Sequence, residues 1–83
     1  MLPGADLIKQ GIDDLIAGRE TIEALLVSIG SPRLRQIGIA VPNTIISNPE
    51  HRLYDLLSAE DSDSAHSRYN GLVRRLVSFE RAA

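Results

Sequence analysis

The densest group of side chains that could carry out chemistry lies between His66 and Arg75. At helical spacing His66, Asn70 and Arg74 share one stripe that Arg81 continues, and Arg68 and Arg75 belong to the same polar cluster. An imidazole can act as a general acid or base and guanidinium groups bind phosphate, so this stripe would suit binding or cleavage of a phosphodiester. We favour the alternative that these arginines form an outer helix face and pair with carboxylates. The acids considered as partners belong to the first third of the chain: Asp13, Asp14, Glu20 and Glu23.

Two smaller groups could also act chemically. Arg33 and Arg35 follow Ser31-Pro32, a typical helix start, and backbone donors at a helix N-terminus favour anions. His51 and Asp55 lie four residues apart, as expected for an acid–base pair, for two ligands of one metal ion or for an ordinary solvated helix face. The chain contains no glycine-rich phosphate loop, no serine elbow and no zinc-ligand spacing. We therefore predict no catalytic residue, no metal site and no cofactor.

Length and composition limit the classes of protein to consider. The chain has 83 residues, no cysteine and a net charge of -2, which indicates one small domain without disulfide bonds. Residues 65–83 nevertheless carry net +3 and residues 1–30 net -3, so charge-guided helix pairing is expected. The acidic balance disfavours nucleic-acid binding. Apolar runs are too short to span a bilayer and no secretory signal begins the chain, so we expect a bacterial-type cytoplasmic protein.

Helical periodicity dominates the first part of the chain. Apolar residues recur at steps of three and four from residue 5 to residue 29, which predicts an amphipathic helix. Gly18 could divide it into two helices, but the uninterrupted heptad spacing favours one continuous helix. Gly30 then ends that helix, and Ser31-Pro32 begins a short one over 32–37.

The remaining segments predict an all-α fold. Residues 38–48 form an extended linker; the alternative is a strand over 37–46 that pairs with a second subunit. Asn48-Pro49-Glu50 predicts a helix over 49–59, and the turn at 61–64 precedes a helix over 63–81. The predicted fold is a small helical bundle with a long N-terminal amphipathic helix, an irregular crossing segment and a C-terminal helical hairpin.

A heptad seam is the strongest indication of an interface. Seven residues follow alternating steps of four and three: Ile8, Ile12, Leu15, Arg19, Ile22, Leu26 and Ile29. A seam of this length exceeds what a small core can bury, so it predicts a homodimer. Its single cation, Arg19, either fixes the register of that pairing or extends to water and to Glu23.

These observations favour a non-enzymatic interaction or regulatory protein that self-associates through the seam, with another protein as a further partner. Nucleic-acid binding is the alternative, and a small phosphodiester-cleaving enzyme is less favoured. The candidate contacts for an anion or nucleic acid are Arg33, Arg35, His66, Arg68, Arg74 and Arg75.

Overall fold

The computed structural model describes residues 2–83, which form four α-helices. These are α1 (Ala5–Ile16), α2 (Ile22–Gln36), α3 (Pro49–Glu60) and α4 (Ala65–Ala82). A turn over 17–21 joins α1 to α2, a crossing segment over 37–48 joins α2 to α3, and a short turn over 61–64 joins α3 to α4. The prediction of an all-α bundle is confirmed, and residues 2–83 contain no strand.

Helix α2 is the central element of the bundle. It contacts α1, α3 and α4, and its residues from Ala24 to Ser28 are all buried. A helix surrounded on most sides must be apolar on most sides, which explains the continuous run Ala24-Leu25-Leu26-Val27. The core around it is completed from the other three helices by Ile8, Leu15, Leu53, Leu57, Ala65, Leu76 and Phe79.

The prediction of one continuous helix over 5–29 is wrong. Helix α1 ends at Ile16, the chain reverses through Gly18 with a φ of 75°, and α2 begins at Ile22. This left-handed conformation is readily available only to glycine. The heptad spacing crosses the break because α1 and α2 bury their apolar faces against each other.

A buried carboxylate stabilises this turn. Asp14 is only 3 % exposed, and its Oδ1 accepts hydrogen bonds from Gln10 and from the Arg19 guanidinium. Its Oδ2 accepts a bond of 2.6 Å from the Thr21 hydroxyl, which itself accepts from the Ala24 backbone N–H and so caps α2. These hydrogen bonds lower the pKa of Asp14 below its usual value of 3.8. The bond from Thr21 lowers the pKa most, and the bond from Arg19 has the next largest effect.

The prediction of a separate helix over 32–37 is also wrong. Helix α2 continues through Gly30, Ser31 and Pro32 to Gln36. Gly30 is required for packing rather than for termination, because a β-carbon there would come within 2.7 Å of the Leu76 side chain. Pro32 lies on the exposed side of the helix, and α2 continues through it although proline donates no backbone hydrogen bond.

The crossing segment is irregular but attached to the bundle. The Ile46 backbone N–H donates to the buried Ser28 hydroxyl at 3.1 Å, and the Thr44 hydroxyl donates to the Leu15 carbonyl at 3.3 Å. Its apolar side chains pack partly buried against the core, at Ile37, Ile39, Val41 and Ile46. Within 37–46 the structure contains no strand, in agreement with a linker.

The C-terminal hairpin follows the predicted boundaries closely. Helix α3 begins at Pro49 after Asn48, which has a φ of 50° and makes no side-chain cap. Helices α3 and α4 pack against each other, and the rings of Tyr54 and Tyr69 meet at 5.8 Å in a tilted arrangement. Both helices of the hairpin pack on α2. The first half of α2 belongs to the segment 5–29 that was predicted to be one long helix.

Candidate interaction surfaces

The heptad seam is used largely within one chain. Ile8, Leu15 and Leu26 are buried between the helices, with exposed fractions of 3 %, 3 % and 0 %. The half-buried members are Ile12, Ile22 and Ile29. The seam therefore joins α1 to α2, which leaves its half-buried members and the exposed Arg19 at the surface for contact with another molecule.

Arg19 lies on the exposed turn rather than in the seam. Its side chain is 57 % exposed, and its Nε and Nη2 donate to Asp14 Oδ1 at 3.2 and 2.9 Å. The sequence suggested either a register-fixing position or an ion pair with Glu23, and the observed partner is a third choice. Because Asp14 precedes it by five residues across the turn, this pairing depends on the break at Gly18.

Two arginines of α4, Arg68 and Arg75, pair with carboxylates, which is the kind of contact that we favoured from the charge distribution. Arg68 Nη1 donates to Glu60 at 2.7 Å, and Arg75 Nη2 donates to Asp6 at 3.4 Å. The acids differ from those considered in the sequence, because α4 lies next to α3 and to the start of α1. All four side chains are well exposed, so each pair contributes little to stability.

The stripe considered for phosphodiester chemistry lies on the outer side of α4. His66, Asn70 and Arg74 are all exposed, and Asn70 Nδ2 lies 3.2 Å from His66 Nε2. The structure thus brings together the predicted imidazole and amide, but on an open helix face where water screens both groups.

Arg33 and Arg35 lie in the last turn of α2, so the expectation of a helix N-terminus at these residues is wrong. The carbonyl groups at a helix C-terminus favour cations and disfavour a bound anion. Arg35 Nη2 donates to the Pro42 carbonyl at 2.9 Å and so attaches the crossing segment. Arg33 faces Glu80, whose pKa is raised by burial and lowered to a lesser extent by this arginine.

His51 and Asp55 form the pair predicted from their spacing. His51 Nε2 lies 3.2 Å from Asp55 Oδ2 in an open depression of about 520 Å³, and both side chains are mostly exposed. The neighbouring Arg52 is engaged by Glu20 of the first turn. Across residues 2–83 no three or more histidine, aspartate or glutamate side chains are grouped so that they could hold a metal ion.

The first of two surface grooves runs along α1, and we call it the α1 groove. It measures about 310 Å³ and is bordered by Ala5, Ile8, Lys9, Ile12, Asp13, Ile39 and Phe79. Its floor is apolar, while Lys9 and Asp13 stand one helical turn apart at its edge. Ile16 continues the stripe of Ile12 by one further turn and is 70 % exposed, the highest fraction among the large apolar side chains of the described chain.

The second groove lies between α4 and side chains of α1 and α2, and we call it the α4 groove. It measures about 420 Å³ and is bordered by Leu7, Ile22, Glu23, Arg68, Gly71, Leu72 and Arg75. The two arginines stand two turns apart on the α4 wall, with Gly71 and Leu72 between them. Glu23 lies on the opposite wall.

Comparison with protein-family models, curated proteins and solved structures finds no match to this chain. None of the helices in the described part of the chain is both long and apolar enough to cross a membrane. Neither Ile16 nor Gly71 was predicted from the sequence to lie on an interaction surface; the signals were an isoleucine one position past the seam and a glycine in mid-helix.

Proposed function

We propose that this protein is a non-enzymatic interaction protein that forms a homodimer through the α1 groove. The observation that carries the proposal is the exposure of Ile16 beside a groove with an apolar floor. Large apolar side chains that continue an open apolar surface are typical of protein–protein contacts. The interface replaces the seam as the self-association surface and retains two seam residues, Ile8 and Ile12.

An antiparallel pairing of two α1 helices matches the shape of this surface. If the two-fold axis passes near the level of residue 11, position 16 of one helix lies opposite position 6 of the other. Ile16 then reaches the end of the partner's groove where Ala5 and Phe79 meet. The same contact occurs twice, as a closed two-fold dimer requires.

The charges at the edge of the groove agree with the same pairing. Lys9 and Asp13 lie symmetrically about residue 11, so each lysine faces the aspartate of the other subunit. This arrangement makes the surface self-complementary, and it gives the pairing a direction because a parallel arrangement would place like charges together. Rim charges of this kind act mainly on specificity and association rate.

The other two interpretations have less support. The nucleic-acid hypothesis depends on Arg33 and Arg35 as well as on the α4 arginines. Arg33 and Arg35 lie in the last turn of α2, where the helix C-terminus disfavours a bound anion, and the chain as a whole carries a net charge of -2. The phosphodiesterase hypothesis depends on His66, which lies on an open helix face. Dimerisation through the α1 groove depends neither on free arginines nor on a sheltered histidine.

The test is the solution mass measured by light scattering over a dilution series at low and high salt. We expect a dimer that dissociates on dilution and persists in high salt, because its core is apolar. The variant Ile16→Lys should be monomeric at concentrations where the parent chain is dimeric. Since Ile16 is exposed, its helical circular dichroism should be unchanged.

The matched control is Ala59→Lys, which places the same charge at an exposed position of α3. We expect this variant to remain a dimer. A parent chain that is monomeric up to about 1 mM would leave no useful self-association and would contradict the proposal. Equal masses for Ile16→Lys and Ala59→Lys would show that the dimer uses another surface.

A further inference from the structure

Gly71 is the one glycine of the chain that the folded monomer does not explain. Three glycines have a positive φ: Gly4, Gly18 and Gly38. Two helical glycines lie where a neighbouring element occupies the β-carbon position: Gly11 and Gly30. Gly71 is helical, and a β-carbon there would meet no heavy atom of the described chain within 4 Å. A glycine in a helix interior destabilises the helix relative to alanine, so Gly71 weakens α4 without any packing gain.

The position of Gly71 suggests what the glycine is for. It forms part of the α4 groove, with the apolar side chains of Leu7, Ile22 and Leu72 beside it. A helix surface without a β-carbon lets a second backbone or a large side chain approach closely. The groove between Arg68 and Arg75 spans seven residues, or about 10 Å, which is the length of two helical turns.

The two arginines retain unused donors. A guanidinium carries five N–H groups, and in the described chain each arginine donates only one hydrogen bond, from Arg68 to Glu60 and from Arg75 to Asp6. Both pairs are exposed, so an incoming carboxylate can share the guanidinium at little cost. On the opposite wall, Glu23 disfavours a second acid and favours a basic or neutral residue.

We propose that the α4 groove binds an amphipathic helix of another protein, with a large apolar residue over Gly71 and acidic residues seven positions apart facing Arg68 and Arg75. This inference extends the interaction role to a second partner and does not depend on the dimer, because the two grooves share no residue.

A second copy of the chain is a poor occupant of this groove. A two-fold pairing of α4 helices centred on Gly71 would place Arg68 opposite the partner subunit's Arg74. Helix α4 carries four arginines against one glutamate, so the two helices would repel each other. An acidic helix from a different protein removes this repulsion.

The experiment uses the full chain and three synthetic helical peptides of 16 residues. Each peptide has one stripe of leucines and, beside it, two identical residues seven positions apart. These two residues are glutamates in the first peptide, glutamines in the second and lysines in the third. Binding is measured by amide NMR shifts and by fluorescence anisotropy of the labelled peptide. We expect the glutamate peptide to bind about tenfold more tightly than the glutamine peptide, a difference typical of one or two charge-assisted contacts, and the lysine peptide to bind not at all.

The decisive variants are Gly71→Leu and its matched control Asn70→Leu. Both place leucine on α4, but only the first fills the groove, since Asn70 lies on the outer face. Gly71→Leu should raise the thermal midpoint and reduce peptide binding at least about tenfold, whereas Asn70→Leu should bind normally. Ile16→Lys should also bind normally, which separates this inference from the dimer.

Three results would overturn the inference. One is the absence of any shift at about 1 mM glutamate peptide. Another is equal peptide binding by Gly71→Leu and Asn70→Leu. The third is tighter binding of a 20-nucleotide single strand than of the peptide, with loss of that binding in Arg68→Gln and Arg75→Gln, because this would assign the surface to nucleic acid.

Discussion

Gly11→Ala adds a single methyl group at the closest approach of α1 and α2. A β-carbon at Gly11 would overlap the carbonyl oxygen of Glu23 and would come within 2.5 Å of Val27 Cγ2. The overlap with a backbone oxygen cannot be relieved by a change of side-chain rotamer, so the two helices must separate. We therefore expect Gly11→Ala to destabilise the fold although alanine is the better helix former.

The magnitude follows from two opposing effects. Overpacking a well-packed site destabilises by about 1–3 kcal/mol, and a contact with backbone belongs at the upper end. Replacing a helical glycine by alanine stabilises by about 1 kcal/mol. The net loss is therefore about 2 kcal/mol, which lowers the midpoint temperature of a domain of this size by about 8–16 °C.

The assay is urea and thermal unfolding followed by far-ultraviolet circular dichroism, at one protein concentration. Gly71→Ala is the matched control, because it makes the same chemical change in a helix where a β-carbon would meet nothing. It should gain about 1 kcal/mol, so the two variants should differ by about 3 kcal/mol. If Gly11→Ala were as stable as Gly71→Ala, the close crossing of α1 and α2 would be wrong.

Three further variants test the groups that hold the bundle together. Asp14→Asn should lower the midpoint temperature of unfolding at pH 7. Because the pKa of Asp14 is lowered in the folded chain, the parent chain should be more stable than the variant above pH 3.8 and should lose this extra stability as the pH falls through the lowered pKa. Glu80→Gln should change stability in the opposite direction, since burial raises the pKa of Glu80 above 4.5. The variant should be more stable than the parent chain at pH 7, and this difference should vanish in acid. Thermal unfolding of both chains from pH 2 to pH 7 measures the difference. Ser28→Ala leaves the Ile46 amide without its acceptor, so it should cost about 1–2 kcal/mol and accelerate hydrogen exchange at that amide. Unchanged exchange there would contradict the attachment of the crossing segment.

The sequence predicted the helical character of the chain well because the apolar spacing is regular. The start of α3 at Pro49 was also predicted correctly, because the fixed φ and the missing N–H of proline suit the first helical position whatever the rest of the chain does. Periodicity alone does not distinguish one long helix from two helices that face each other. In both cases the spaced apolar residues from Ile8 to Ile29 lie on buried helix faces. The sequence therefore showed the seam, but it did not show that the two halves of the seam pack against each other within one chain.

The breaks were misjudged because glycine has two different uses. Gly18 provides a positive φ at a turn, whereas Gly30 provides space for Leu76 inside a continuous helix. Only the position of a distant element separates these uses, and that position depends on tertiary packing. The role of Asp14 was missed for the same reason, since its hydrogen bonds to Arg19 and Thr21 exist only after the chain has turned.

The candidate surfaces were predicted less well than the fold. Arg68 and Arg75 pair with acids, but their partners, Glu60 and Asp6, are not the acids that the sequence suggested. A groove depends on which side chains the fold leaves open. Ile16 illustrates this point, because its spacing from Ile12 resembles that of a core residue while its side chain is 70 % exposed.

The most direct test of the proposed homodimer is a charge-reversal mixing experiment at the α1 groove. Lys9→Asp and Asp13→Lys are each measured alone and then as an equal mixture by light scattering. In the antiparallel pairing each variant alone places like charges together, whereas a mixed dimer places opposite charges at both contacts. The proposal predicts that each variant alone dimerises more weakly than the mixture does, because like charges at both contacts weaken the pairing. Dimers of equal strength in all three samples, or monomers in all three beside a dimeric parent chain, would contradict this pairing.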